Sequence, residues 1–155
     1  RQWAMGNGQW AMGNGQWAMG NGNCFLQIKL KLNHMAAQTV RDTKVYQLAF
    51  QLAMQIFQLS KSFPKEETYS LTDQIRRSSR SVCICLREAY RKTRYPAHFV
   101  AKVADSDMEN SETEGWLEFA LACQYITHEK HNELCDLNSQ VGKLLNHMLN
   151  NPDKY

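Results

Sequence analysis

At 155 residues the chain suits a single domain, and 43% hydrophobic residues are enough to build one core. No apolar run reaches the ~18 residues that would cross a bilayer, because Gln and Lys interrupt every candidate, so no membrane partner is expected. The formal charge of +3 comes from Arg1, Lys29 and Lys31; after Met35, Lys and Arg equal Asp and Glu in number, which leaves an asymmetry of charge rather than an excess.

Residues 2–22 are three copies of Gln-Trp-Ala-Met-Gly-Asn-Gly. Two Gly and an Asn per unit remove helix propensity, so the seven-residue period is no coiled-coil heptad. The nucleotide unit CAATGGG, repeated through all three frames, encodes this peptide. Residues 1–34 are therefore expected to be a low-complexity, disordered tail and read-through of repetitive DNA, with Met35 as the start of a 35–155 domain; the competing reading is a Trp/Gly binding tail. Residues 25–32, FLQIKLKL, alternate like a lone strand.

The domain reads as four helices punctuated by proline. The first is predicted over Lys44–Ser62 with Asp42 or Thr43 as N-cap. Val45, Leu48, Ala49, Leu52, Ile56, Leu59 and Phe63 form one apolar stripe, and Tyr46, Phe50, Ala53 and Phe57 a second beside it. No charge occurs from Val45 to Ser60, so this helix is expected to be covered on two sides, by its own bundle or by another subunit.

Pro64 ends it, and Ser70-Leu71-Thr72-Asp73 resembles a capping box that opens the second helix. Pro96 suits the first turn of a third, over 97–125, in which Gly115 predicts close backbone packing or a bend. Thr127 can cap a fourth over 128–150, striped by Leu134, Leu137, Val141, Leu144, Leu145 and Met148. Short connections make an all-α, antiparallel up-down-up-down four-helix bundle the predicted fold.

The second helix carries the one chemically distinctive pattern. Ser70–Tyr95 holds seven of the eighteen basic residues and two acids. At 100° per residue Arg76, Arg80, Arg87, Arg91 and Arg94 fall within about 60° of one another, opposite Leu71, Ile75, Val82, Leu86 and Ala89. Arg77 and Lys92 complete the basic set. Three readings stay open: a solvated face, an intersubunit lattice with the acidic run Asp105–Glu118 of the third helix, or a row of phosphate contacts. Tyr90 and Tyr95 beside it could stack on bases.

VYQLAFQLAMQIFQLSKSFPKEETYSLTDQIRRSSRSV, EAYRKTRYPAHFV and ETEGWLEFALACQYI resemble the four-helix-bundle family encoded in intervening sequences of bacterial 23S ribosomal RNA genes. The likeness runs from about Lys44 to Leu149 and is most specific over Phe63–Arg77 and Glu88–Phe99. It implies an all-α bundle, commonly a ring of five, sometimes labelled a ribosomal protein. Related accessory proteins of diversity-generating retroelements are pentameric, basic and nucleic-acid binding. Where the family usually has Asn-[Ile/Leu]-Ala-Glu, this chain has Cys85-Leu86-Arg87-Glu88, so Arg76 and Arg77 carry over from the resemblance more directly than Arg87.

Other constellations carry less. His128, His131 and Cys135 share one helix face and are zinc-ligand types, but no fourth ligand accompanies them. Cys83 and Cys85 lie about 200° apart on a helix and make no metal pair. Five cysteines, an odd number, predict reduced thiols and a cytoplasmic protein. No Glu has a His three residues on, and no GxSxG, P-loop or HExxH occurs, so no cofactor and no enzymatic activity are expected. The expected function is a non-enzymatic, homo-oligomeric bundle, a pentamer by resemblance, that contacts RNA or DNA through Arg76, Arg77, Arg80, Arg87, Arg91, Lys92 and Arg94. The alternative is a structural oligomer or protein adaptor that binds no nucleic acid.

Overall fold

The computed structural model describes residues 39–155, together with 12–13 and 16–17. The chain divides into two units, Arg1–Gln38 and Thr39–Tyr155. In the first, β1 (Met12–Gly13) pairs antiparallel with β2 (Gln16–Trp17), Met12 opposite Trp17. The expectation of a disordered 1–34 tail, and the strand-like alternation of 25–32, otherwise lie outside the described residues.

The second unit is built from α1 (Lys44–Leu59), α2 (Leu71–Arg91), α3 (Pro96–Ala122) and α4 (His128–Asn150). Short 3-10 turns at Val40–Asp42, Ser60–Ser62, Lys65–Glu67 and Pro152–Lys154 join or flank them. Among the described residues of this unit there is no strand. The all-α bundle is the fold the residue pattern demands.

Local chemistry sets the helix ends. The Thr43 hydroxyl accepts from Tyr46 N at 3.4 Å, and Thr127 from Lys130 N at 3.2 Å, satisfying amides that a first turn leaves orphaned. Pro96 occupies the first turn of α3, where its missing N–H costs nothing. The opening of α2 differs from the expected capping box. Ser70 makes no side-chain cap bond; its hydroxyl donates to Glu67, whose carboxylate also accepts from Leu71 N at 3.2 Å. A carboxylate outweighs a hydroxyl at a helix N-terminus because full charge meets the positive end of the dipole. Glu67 further accepts from the Tyr125 hydroxyl at 3.1 Å, tying the start of α2 to the segment after α3.

α3 stops at Ala122, three residues short of the predicted end. Gln124 takes φ 61°, and Tyr125 N closes on the Ala120 carbonyl at 2.9 Å, a left-handed cap that turns the chain toward α4. Gly115 also departs from expectation: a side chain there would meet nothing within 4 Å. The close approach falls instead at Gly142 on α4, where a Cβ would lie 3.3 Å from Asn110 Nδ2.

The first predicted stripe of α1 and the stripes of α2 and α4 form the core with a face of α3 that carries no predicted stripe. Val45, Leu52 and Ile56 of α1, Ile75, Val82 and Leu86 of α2, and Phe99, Val103 and Leu117 of α3 are buried with Leu134, Val141, Leu145 and Met148 of α4. Each such large side chain gains roughly 1.5–3 kcal/mol on leaving water. Three polar side chains inside this core bond across the helix seams: Thr113 Oγ1 donates to Ser78 Oγ at 2.9 Å, Ser106 Oγ to the Val82 carbonyl at 3.0 Å, and Asn110 Nδ2 to the Asn138 carbonyl at 3.2 Å, whereas Thr72 Oγ1, Asn110 Oδ1 and Asn138 Oδ1 are buried without a partner among the described residues. In the first two pairs numbers rise along α2 as they fall along α3, the pattern of antiparallel neighbours.

Candidate nucleic-acid interface

α2 is amphipathic along its whole length. Leu71, Ile75, Val82, Leu86 and Ala89 are buried, and Arg77, Arg80, Arg87 and Arg91 are exposed on the opposite side. The helix ends at Arg91, so Lys92 caps it and Arg94 lies beyond it rather than on the row. The cause is Pro96, whose ring bars its preceding residue from helical dihedrals; Tyr95 sits at φ −127°, ψ 85°. Arg94 is still exposed, one turn past the helical set.

The arginines are not equivalent. Arg76 is half-buried at the α1–α2 seam, where its Nε donates to Ser60 Oγ at 2.7 Å and its guanidinium lies 5.2 Å from the centre of the Phe57 ring. Arg80 approaches the same ring at 5.5 Å, and Lys61 from just past the end of α1 at 4.8 Å. An aromatic face attracts cations, which lets three like charges gather around one ring. Arg77 turns the other way, donating to Gln74 Oε1 at 2.7 Å and standing 3.9 Å from Glu112 of α3. Among the described residues no carboxylate lies within ion-pair distance of Arg76, Arg80, Arg87, Arg91, Lys92 or Arg94. Lys102 of α3 holds Asp105 of the acidic run at 3.0 Å and Glu88 of α2 at 2.9 Å; those two bonds hold the ammonium well above its ordinary pKa.

Sequence spacing locates the row but not its surroundings. Spacing puts Phe57 on an apolar stripe and gives Lys61 and Ser60 no role, because the register between α1 and α2 that brings them to Arg76 and Arg80 is a tertiary property. An i, i+4 pairing of Phe57 with Lys61 is the one local signal. Tyr90 is half-buried, edge-on to Phe99 at 6.4 Å, so it belongs to the core margin rather than to a stacking surface; burial raises its phenol pKa. Tyr95 is 64% exposed.

The second stripe of α1 is not covered within the chain. Ala53 is buried, Tyr46 and Phe57 are half-buried, and Phe50 is 52% exposed with Met54 beside it. Tyr46 and Phe50 stack at 6.3 Å with an interplanar angle of 14°.

His131 and Cys135 approach to 3.4 Å on α4, and among the described residues no three His, Cys, Asp or Glu side chains converge as a metal set. Cys83, Cys85, Cys123 and Cys135 are free thiols. Burial pushes the Cys83 thiol up to about 11. No helix among the described residues is long and apolar enough to cross a membrane.

Comparison with known proteins places this geometry in a lineage. A crystal structure of a protein of unknown function from the S23 ribosomal protein family of Bacteroides thetaiotaomicron is similar at 29% identity and a TM-score of 0.63, over 68% of this chain and 95% of that one. No match is found among curated proteins. The profile of the 23S rRNA-intervening sequence proteins matches residues 41–147, the four helices with the arginine row at their centre. The chain belongs to the 23S rRNA-intervening sequence protein family.

Proposed function

We propose that the chain is a non-enzymatic nucleic-acid-binding protein that contacts the phosphate backbone through α2. The observation that carries this reading is the row of Arg80, Arg87 and Arg91, exposed and without carboxylate partners among the described residues, while Glu88, Asp105 and Glu112 are occupied elsewhere. Guanidiniums spaced along one helix can neutralise successive phosphates, and such contacts are indifferent to sequence. Arg76 and Arg77 support the row from its two seams, and Lys92 and Arg94 extend it past the helix end. A relation to the retroelement accessory proteins, and a cytoplasmic location, belong to this proposal.

We also propose that the protein is a homo-oligomer, a pentamer by resemblance. What favours assembly is a pair of exposed apolar side chains on one face of α3, Met108 at 61% and Phe119 at 59%. Gly115 lies between them with open space before it.

The test is the double variant Arg80→Gln, Arg91→Gln, titrated against unrelated single-stranded sequences over a salt series. Binding is expected to weaken for every sequence, and the slope of log affinity against log salt to become shallower by roughly 0.7 for each phosphate no longer neutralised. Loss of the oligomer in the variant, with no nucleic-acid affinity in the parent protein, would assign the arginines to assembly.

A further inference from the structure

Resting on that reading, we infer that the nucleic acid is single-stranded and that its bases stack on α1 while its phosphates meet α2. Tyr46, Phe50 and Phe57 share one face of α1, and the Phe57 end of that face meets the arginines, with Arg76 and Arg80 over the Phe57 ring. α1 carries no charged residue from Val45 to Ser60. Its exposed aromatic ridge is bordered by side-chain amides instead. One shallow hollow beside Phe50 is lined by Tyr46, Gln47 and Arg41, and another by Gln51, Gln58 and Met54 with Lys130 of α4 at its edge.

This composition fits a base and not a duplex. A single strand offers one π-face and one phosphate per nucleotide, which an aromatic ridge beside a cationic row can take together, whereas paired bases keep their faces inside the stack. Amides can donate to and accept from exposed base edges. Tyr46 and Phe50 already lie nearly parallel, so an incoming base extends an existing stack. A two-fold pairing of this face with its own counterpart fits less well, because it would set Arg80 and Arg87 near like charges and the α1 segment holds no carboxylate to offset them.

Phe50 isolates the claim, since at 52% exposure its truncation leaves the core intact. Fluorescence anisotropy on the full chain would use a labelled 15-nucleotide oligouridine and a duplex of the same length, with the parent, Phe50→Ala, Phe50→Trp and Arg80→Gln. The strand is expected to bind at least tenfold more tightly than the duplex. Phe50→Ala is expected to bind the strand roughly tenfold more weakly, the weight of one stacked base, with an unchanged salt slope, and Phe50→Trp to retain the affinity. Arg80→Gln is expected to make the slope shallower. If Phe50→Ala binds within twofold of the parent while Arg80→Gln is weakened, the stacking inference falls and the phosphate contact stands. If neither probe binds the parent, the phosphate reading falls and this inference with it. If Phe50→Ala changes the mass of the protein by light scattering, the ridge is an interface between copies and the inference is overturned.

Discussion

Single residues mark where the fold carries strain or shelter. Gln124 holds φ 61°, a region costing an L-residue other than glycine about 1 kcal/mol or more, because the left-handed cap of α3 needs it there. Gln124→Gly is therefore expected to stabilise the protein by about 1 kcal/mol, a rise of roughly 4 °C in thermal midpoint by calorimetry. Sequence could not supply this, since nothing in Ala-Cys-Gln-Tyr marks a left-handed position; glycine is the usual signal and it is absent. The thiols give a second residue-level test. Cys123 is exposed on the turn after α3, and Cys83 is buried with its pKa pushed up to about 11. Brief alkylation at pH 8 followed by peptide mapping is expected to label Cys123 fully and Cys83 only after unfolding, because the thiolate is the reactive form.

Individual helices are legible to the extent that local chemistry controls them. Thr43 and Thr127 cap where their residue type indicates, Pro96 opens α3, and the period of buried residues in α1 and α4 is visible in the chain. The start of α2 is not legible in this way, because Ser70 and Asp73 fit a capping-box pattern while Glu67 reaches forward from the preceding turn to hold both Ser70 and Leu71 N. That capture has a pH signature. Hydrogen bonds from Ser70, from Leu71 N and from Tyr125 lower the Glu67 pKa below its ordinary value of 4.5. A carboxylate with a lowered folded pKa contributes in full above the unfolded value, and the contribution disappears as pH falls through the folded one. Glu67→Gln is thus expected to lower the thermal midpoint at pH 7, and the gap to the parent to close progressively below about pH 4.5. A gap that stays constant down to pH 3 would mean the carboxylate is not the cap.

At the scale of the whole molecule, the bundle and its core are readable from periodicity, while the partners of its exposed groups are not, because register between helices decides them. Gly115 shows the difference. Inside the bundle nothing approaches it, yet a glycine in a helix interior costs about 1 kcal/mol relative to alanine, and this one sits between Met108 and Phe119 on the exposed side of α3. A missing side chain flanked by two exposed apolar ones allows another backbone to come close, and in the proposed homo-oligomer a second copy would supply it. Two variants separate the outcomes. In an oligomer packed there, Gly115→Leu is expected to lower the mass measured by light scattering at micromolar concentration, while circular dichroism retains the helical content. If no copy packs against α3, Gly115→Ala and Gly115→Leu leave the mass unchanged, and alanine raises the thermal midpoint by roughly 4 °C through helix propensity alone. That second result would leave Met108 and Phe119 as isolated surface residues and remove the physical support for assembly through this face.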